Sequence, residues 1–149
     1  MIFNKPIGQF DFVLQSKDRK SNIVFTLIDF ELNRLPSINY LVSIKDREFS
    51  GEVNIWIDNE VFIDFYERLK EANLKRTGNF NIRSMTPEEL EMNLISQRKG
   101  SYEIEYSIKK NSYLDNRLIE TVLKGAFEYD TEFLNQLEEK LKDIKKFMI

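Results

Sequence analysis

The chain contains no histidine and no cysteine. Without histidine, Ser-His-Asp and Cys-His catalytic arrangements cannot be assembled, and the usual zinc ligands are missing. Without cysteine there are no disulfides, thiolate metal sites or thiol nucleophiles, which fits a reducing compartment. Glycine and proline are scarce, at five and three of 149 residues. That excludes a low-complexity or disordered composition. No stretch approaches the roughly 18 apolar residues of a membrane span. The segment Met1-Ile2-Phe3-Asn4-Lys5-Pro6 lacks the apolar run of a secretory signal. The expected location is the cytoplasm, with no membrane partner. An excess of basic charge is also lacking: residues 1–76 carry 11 basic and 12 acidic side chains, and residues 77–149 carry 11 and 13. With no basic stripe, no nucleic-acid partner is expected. The phosphate-cradling patterns G-x-x-x-x-G-K-[ST] and G-x-G-x-x-G are absent, as is the calcium loop D-x-D-x-D-G. No cofactor and no metal are expected.

What is present is globular. Hydrophobic residues make up 42% of the chain, and twelve phenylalanines supply large apolar units for a core. The length favours a single domain over residues 1–149, large enough to bury about two-thirds of the unfolded surface.

Apolar periodicity orders the elements. Residues 8–14 alternate and read as a strand, followed by a polar turn from Ser16 to Asn22. Residues 23–32 read as a strand with apolar side chains on both faces, so either face could be the buried one. Pro36-Ser37 marks a loop. Tyr40, Val42 and Ile44 alternate up to a tight turn at Asp46-Arg47. Phe49, Gly51, Val53, Ile55 and Ile57 alternate beyond it, completing a β-hairpin. The period then changes to 3.6. Phe62, Phe65, Tyr66, Leu69 and Ala72 share one helical face, Asp58 or Asn59 can cap the start, and Thr77-Gly78-Asn79 ends it. Asp64/Arg68 and Glu71/Lys75 pair at i,i+4 on the outer face. Residues 79–89 read as a connection ending in a helical turn at Thr86-Pro87-Glu88-Glu89, a capping-box pattern. Leu90, Met92 and Leu94 then alternate as a strand. Gly100 turns the chain into Tyr102-Ile104-Tyr106-Ile108. Residues 111–116 read as a polar loop. Ile119, Leu123, Phe127 and Tyr129 lie on one face of a long last strand. A final helix starting at Asp130 or Thr131 carries Leu134, Leu137, Leu141 and Ile144 and ends in Lys145-Lys146, which suits its dipole.

A shift of 72 residues places Asp58 on Asp130 and Leu69 on Leu141, with five of thirteen positions identical over residues 58–70. Shared capping and spacing explain this, and so does a duplicated strands-then-helix unit. The expected fold is α+β: a mainly antiparallel sheet of about six to seven strands with two helices packed on one face.

Alternation then defines an outward sheet face. If Phe49, Val53, Ile55 and Ile57 point to the helices, Glu52, Asn54 and Trp56 point away. By the same rule Glu103, Glu105, Glu120, Lys124 and Glu128 point away. This face is acidic and carries the only tryptophan. It reads either as an ordinary solvated face or as a protein-docking surface, with Trp56 as anchor and the acids steering a basic partner. Gly51 and Gly125, inside strands, read as bulges or points of close helix-on-sheet packing. Twenty-five acidic residues always permit a carboxylate pair, so that pattern does not specify a hydrolase.

The stretch Phe49-Ser50-Gly51-Glu52-Val53-Asn54-Ile55-Trp56-Ile57-Asp58, followed by Phe62, Phe65 and Leu69, resembles the WapI-type immunity proteins and their bacterial relatives. Those proteins continue with a strand after a short Ser/Pro/Glu segment. They end in a strand, an acidic residue and a helix, here Leu123 to Asp130 and Leu134 to Leu141. The similarity spans roughly residues 8–146. The family's last strand often runs into Asp-Gln, whereas this chain has Asp130-Thr131. The resemblance implies a small cytoplasmic protein that binds and neutralises the toxic C-terminal domain of a contact-delivered toxin, often an RNase. It carries over no individual contact residue. The leading expectation is therefore a non-enzymatic immunity protein acting by occlusion. A structural or self-association module is the alternative, and a carboxylate hydrolase the remote one. Homo-oligomerisation is open.

Overall fold

The computed structural model describes residues 8–75, 77–97, 101–131 and 134–148. The elements run β1 (Phe12–Gln15), β2 (Ser21–Glu31), β3 (Ser37–Asp46), β4 (Phe49–Asp58), α1 (Asn59–Lys75), β5 (Asn79–Arg83), β6 (Leu90–Ser96), β7 (Tyr102–Leu114), β8 (Arg117–Tyr129) and α2 (Leu134–Met148). The class is α+β with antiparallel pairing throughout, but the strands form two sheets rather than one. Their orders are β1-β2-β3-β4 and β5-β6-β7-β8. Both are simple meanders, and each is followed by a helix. The reason for the split is α1. It carries the chain from the edge of the first sheet to the far edge of the second, so β4 and β5 are never neighbours.

The helix boundaries follow the residues. Asp58 Oδ1 accepts the Glu60 N–H at 2.8 Å, which satisfies one of the free donors of the first turn of α1. Phe62, Phe65, Tyr66, Leu69 and Ala72 are its buried residues, and Leu134, Leu137, Leu141, Ile144 and Met148 are those of α2. Past the end of α1, Gly78 lies at φ 125°, a conformation that L side chains rarely adopt. The two helices run antiparallel. Asn73 bonds Asn135 at 2.6 Å near one end of their contact, and Lys145 bonds Glu67 at 2.8 Å near the other.

Several boundaries differ from the sequence reading. The first strand begins at Phe12, because residues 8–11 form a turn in which Asp11 accepts the Gly8 N–H and reaches across to the Leu27 N–H. Residues 79–83 are a strand, not a connection. Phe80 and Ile82 are buried between exposed Asn79, Asn81 and Arg83. Thr86 to Glu89 form a tight turn with Glu88 at φ 72°, so no helical turn precedes β6. Residues 111–114 extend β7, and the turn is only Asp115-Asn116, with Asp115 at φ 56°. Phe49 has inward parity but is 68% exposed, although its cross-strand partner Asp46 is buried. In β2, Ile23 and Phe25 are the buried apolar side chains, and a register shift between Leu27 and Asp29 changes the pattern beyond them. Gly100 lies outside the described residues.

The two sheets share one core with both helices. At one seam the end of β1 touches the end of β8: Ser16 bridges Tyr129, Lys17 N–H donates to the Glu128 carbonyl at 2.9 Å, and Asp130 N–H donates to the Gln15 carbonyl at 3.2 Å. At another, Met85 N–H donates to the Trp56 carbonyl at 2.7 Å. Between them the inner faces meet. A Cβ on Gly51 would lie 3.2 Å from Leu123 and 3.3 Å from Ile108, and one on Gly125 would lie 2.5 Å from the Tyr106 hydroxyl. Both glycines therefore mark close packing. A buried polar link joins the sheets there: the Tyr106 hydroxyl donates to Asp46 Oδ2 at 2.5 Å, and Ser21 Oγ donates to Asp46 Oδ1 at 2.8 Å.

Candidate interaction surfaces

Glu52, Asn54 and Trp56 lie on the outer face of the first sheet, on its edge strand β4. Their cross-strand neighbours on β3 are Ser43, Leu41 and Asn39, which continue onto β2 at Val24, Thr26 and the exposed Asp29. Glu52 accepts from Ser43 Oγ at 3.1 Å. Asn54 accepts from the Asn39 side chain, whose amide also donates to the Ile55 carbonyl at 2.8 Å. Asn39 is thus held beside Trp56, which is 38% exposed. Val13 and Val24 pair on the same outer face. The middle of this face consequently holds Val13, Val24, Thr26, Leu41, Ser43 and Trp56. None of these is charged.

Glu103, Glu105, Glu120, Lys124 and Glu128 lie on the outer face of the second sheet. Glu103 is directly opposite Glu128, an unfavourable like-charge pair. Neighbouring polar groups relieve it: Gln97 donates to Glu103 at 3.0 Å, and the Lys17 ammonium stands 3.6 Å from Glu128. Glu120 has Lys109 at 3.6 Å, and Lys109 also pairs with Glu88. Because the inner faces of the two sheets meet across the core, their outer faces look away from each other. The structure brings Glu52, Asn54 and Trp56 together, and separately the five residues of β7 and β8. It does not join the two groups into one surface.

Three clefts accompany these faces. One of about 480 Å³ lies between α1 and the β5 edge, lined by Asp64, Arg68, Asn81, Arg83 and Asn93 among others. Another of about 460 Å³ separates the β4 edge from β7 and β8, with Gly51 and Val53 facing Ile108 and Leu123. The third, about 320 Å³, lies at the β3–β4 hairpin, where Lys45 and Glu52 are its charged lining. Among the described residues no three acidic side chains converge as a metal site. The groups pushed furthest from their ordinary acidity are structural. Burial raises Tyr40, Tyr106 and Tyr129, helped at Tyr106 by the hydrogen bond to Asp46.

Sequence reasoning did not single out Val13, Val24 and Leu41 as partners of Trp56. Their shared face depends on strand register, which alternation within each strand does not supply. It also missed the length of the β7–β8 hairpin, where Tyr113, Leu118 and Val122 stand exposed. The local signal there was the two-residue turn pair Asp115-Asn116, with Tyr113 before it and Ile119, Thr121 and Val122 after it. Among the described residues no helix is long and apolar enough to cross a membrane. Comparisons with protein-family models, with curated proteins and with solved structures yield no significant match to this chain.

Proposed function

We propose that this chain is a non-enzymatic, cytoplasmic protein-binding module of the immunity type, which neutralises a toxin domain by covering it. The observation that carries the reading is the charge-poor outer face of the first sheet. A solvated sheet face is normally studded with charge, whereas interface centres are depleted in charge and enriched in aromatic anchors. Here Trp56, Leu41, Val24 and Val13 are surrounded by Ser43, Asn54 and Thr26, with charge only at the margins: Glu52 and Lys45 toward the hairpin end and Asp29 beyond Asn39. The resemblance of residues 49–69 to WapI-type immunity proteins includes this strand. The carboxylates of the second sheet lie along an open ladder, an arrangement suited to steering a basic partner rather than to flanking a scissile bond.

The test is to look beside this reading frame for a gene that encodes a toxin domain and to measure binding to that domain. Trp56→Ala is expected to weaken affinity about thirtyfold or more, the loss typical of a central aromatic anchor, with the circular dichroism spectrum unchanged. Reversal of Glu103 and Glu105 to lysine is expected to slow association and reduce its salt dependence, with little effect on dissociation. Failure of the unaltered protein to retain the toxin domain in a pull-down defeats the proposal. Unchanged affinity of Trp56→Ala removes the first sheet's outer face from it.

A further inference from the structure

The strand β8 ends the second sheet, and among the described residues its outer edge is covered only where β1 meets Glu128, Tyr129 and Asp130. The two-residue turn at Asp115-Asn116 fixes which groups point outward. Leu114 and Arg117 form the closing bonded pair, so the odd residues of β8 bond to β7 and the even ones present their N–H and C=O to the open edge. The Glu128 carbonyl, which accepts from Lys17, obeys this parity. The open edge therefore runs from Leu118 to Ala126, and its middle residue is Val122.

The same even residues carry the outer-face side chains, in the order Leu118, Glu120, Val122, Lys124, Ala126. We propose that this edge pairs with β8 of a second copy of the chain, antiparallel, about a twofold axis through Val122. In that register Val122 meets Val122, Glu120 meets Lys124 in both directions, and Leu118 meets Ala126. Each of these is a pair whose backbone groups face the partner, so the hydrogen-bond ladder closes without a shift. Charge selects the register. An axis through Glu120 sets glutamate on glutamate, and one through Lys124 sets lysine on lysine. Axes through Thr121 or Leu123 leave both charges opposite Leu118, Val122 or Ala126. Charged side chains on an edge strand ordinarily block pairing with other strands. The alternating signs here block strangers but match a second copy. Val122 is 51% exposed and Leu118 46%, so both have surface to bury. The pairing is independent of the immunity reading, because it leaves the Trp56 face free.

Sedimentation equilibrium on the full chain tests it. The unaltered protein is expected to show twice its 17.8 kDa mass at low salt, with weaker association as salt rises. Lys124→Glu and Glu120→Lys, each alone, are expected to raise the dimer dissociation constant about tenfold or more, since each sets like charges opposite one another twice. The double variant restores the dimer. So does mixing the two single variants, because one copy then offers two basic positions and the other two acidic ones. A monomeric unaltered protein overturns the proposal. So does a dimer indifferent to both reversals, or a mixture of well-folded single variants that stays monomeric.

Discussion

At the residue scale, two glycines hold the sheets at their observed distance, and they are not equivalent. A Cβ on Gly51 meets the flexible tips of Leu123 and Ile108, which can move aside. A Cβ on Gly125 meets the Tyr106 hydroxyl at 2.5 Å and Asp46 Oδ2 at 2.9 Å, which are tied to each other. Gly125→Ala is expected to cost about 1–3 kcal/mol in urea unfolding, and Gly51→Ala less. Tyr106→Phe leaves Asp46 Oδ2 without its donor and is expected to cost about 1–3 kcal/mol. The two changes disturb the same contact, so the Gly125→Ala, Tyr106→Phe double variant is expected to lose less than the sum of the single losses. The sequence marks both glycines as bulges or as places where a helix packs closely on the sheet. What approaches them is instead strand side chains, Leu123 and Ile108 at Gly51 and Tyr106 and Asp46 at Gly125, which local alternation cannot reveal because Tyr106 and Asp46 come from different halves of the chain.

At the element scale, helices were more legible than short strands. Five apolar positions at 3.6 spacing identify α1, and its five buried side chains are those same residues. Its capping aspartate is equally local: Asp58→Ala is expected to lower stability by about 0.5–2 kcal/mol in the same unfolding experiment, and Asp58→Asn by less. The strand β5 carries only two apolar residues, Phe80 and Ile82, between asparagines and an arginine, too little for alternation to stand out from a loop. The end of β7 was hidden for a different reason. Beyond Lys109 the hairpin leaves the core, so both faces are wet and no inward row of apolar residues exists to mark it. The outer-face residues proposed for partner binding were placed correctly within each strand by alternation alone. Their grouping into two surfaces required the sheet order.

At the scale of the whole molecule, the absent histidines shape the pH response. Tyr40, Tyr106 and Tyr129 have folded pKa values raised above the ordinary 10.0, chiefly by burial. Above pH 10 the unfolded chain loses these protons and the folded chain keeps them, so stability present below pH 10 is lost as pH rises beyond it. On the acid side, hydrogen bonds from Lys145 and Ser16 hold Glu67 and Asp18 below the usual 4.5 and 3.8. Their contribution is present above those values and fades as pH falls through them. It is small, because both groups are solvent-screened. The expected profile of urea midpoint against pH is a plateau from about 5 to about 10 with a steep alkaline edge. Tyr129→Phe makes that edge shallower. A midpoint that changes by more than a small amount between pH 6 and 8 contradicts this picture. The contact of β1 with β8 has a consequence for biosynthesis. A chain emerging from the ribosome N-terminus first can close the β1–β4 meander by local pairing and add α1, but the inner face of that sheet lacks the rest of its cover until the second meander and α2 arrive. The seam at Ser16 and Tyr129 joins segments more than a hundred residues apart in the sequence, so it can form only after β8 has been made. Until then the nascent first half exposes Ile23, Phe25, Tyr40 and Val42 together, which makes it a natural client for chaperones.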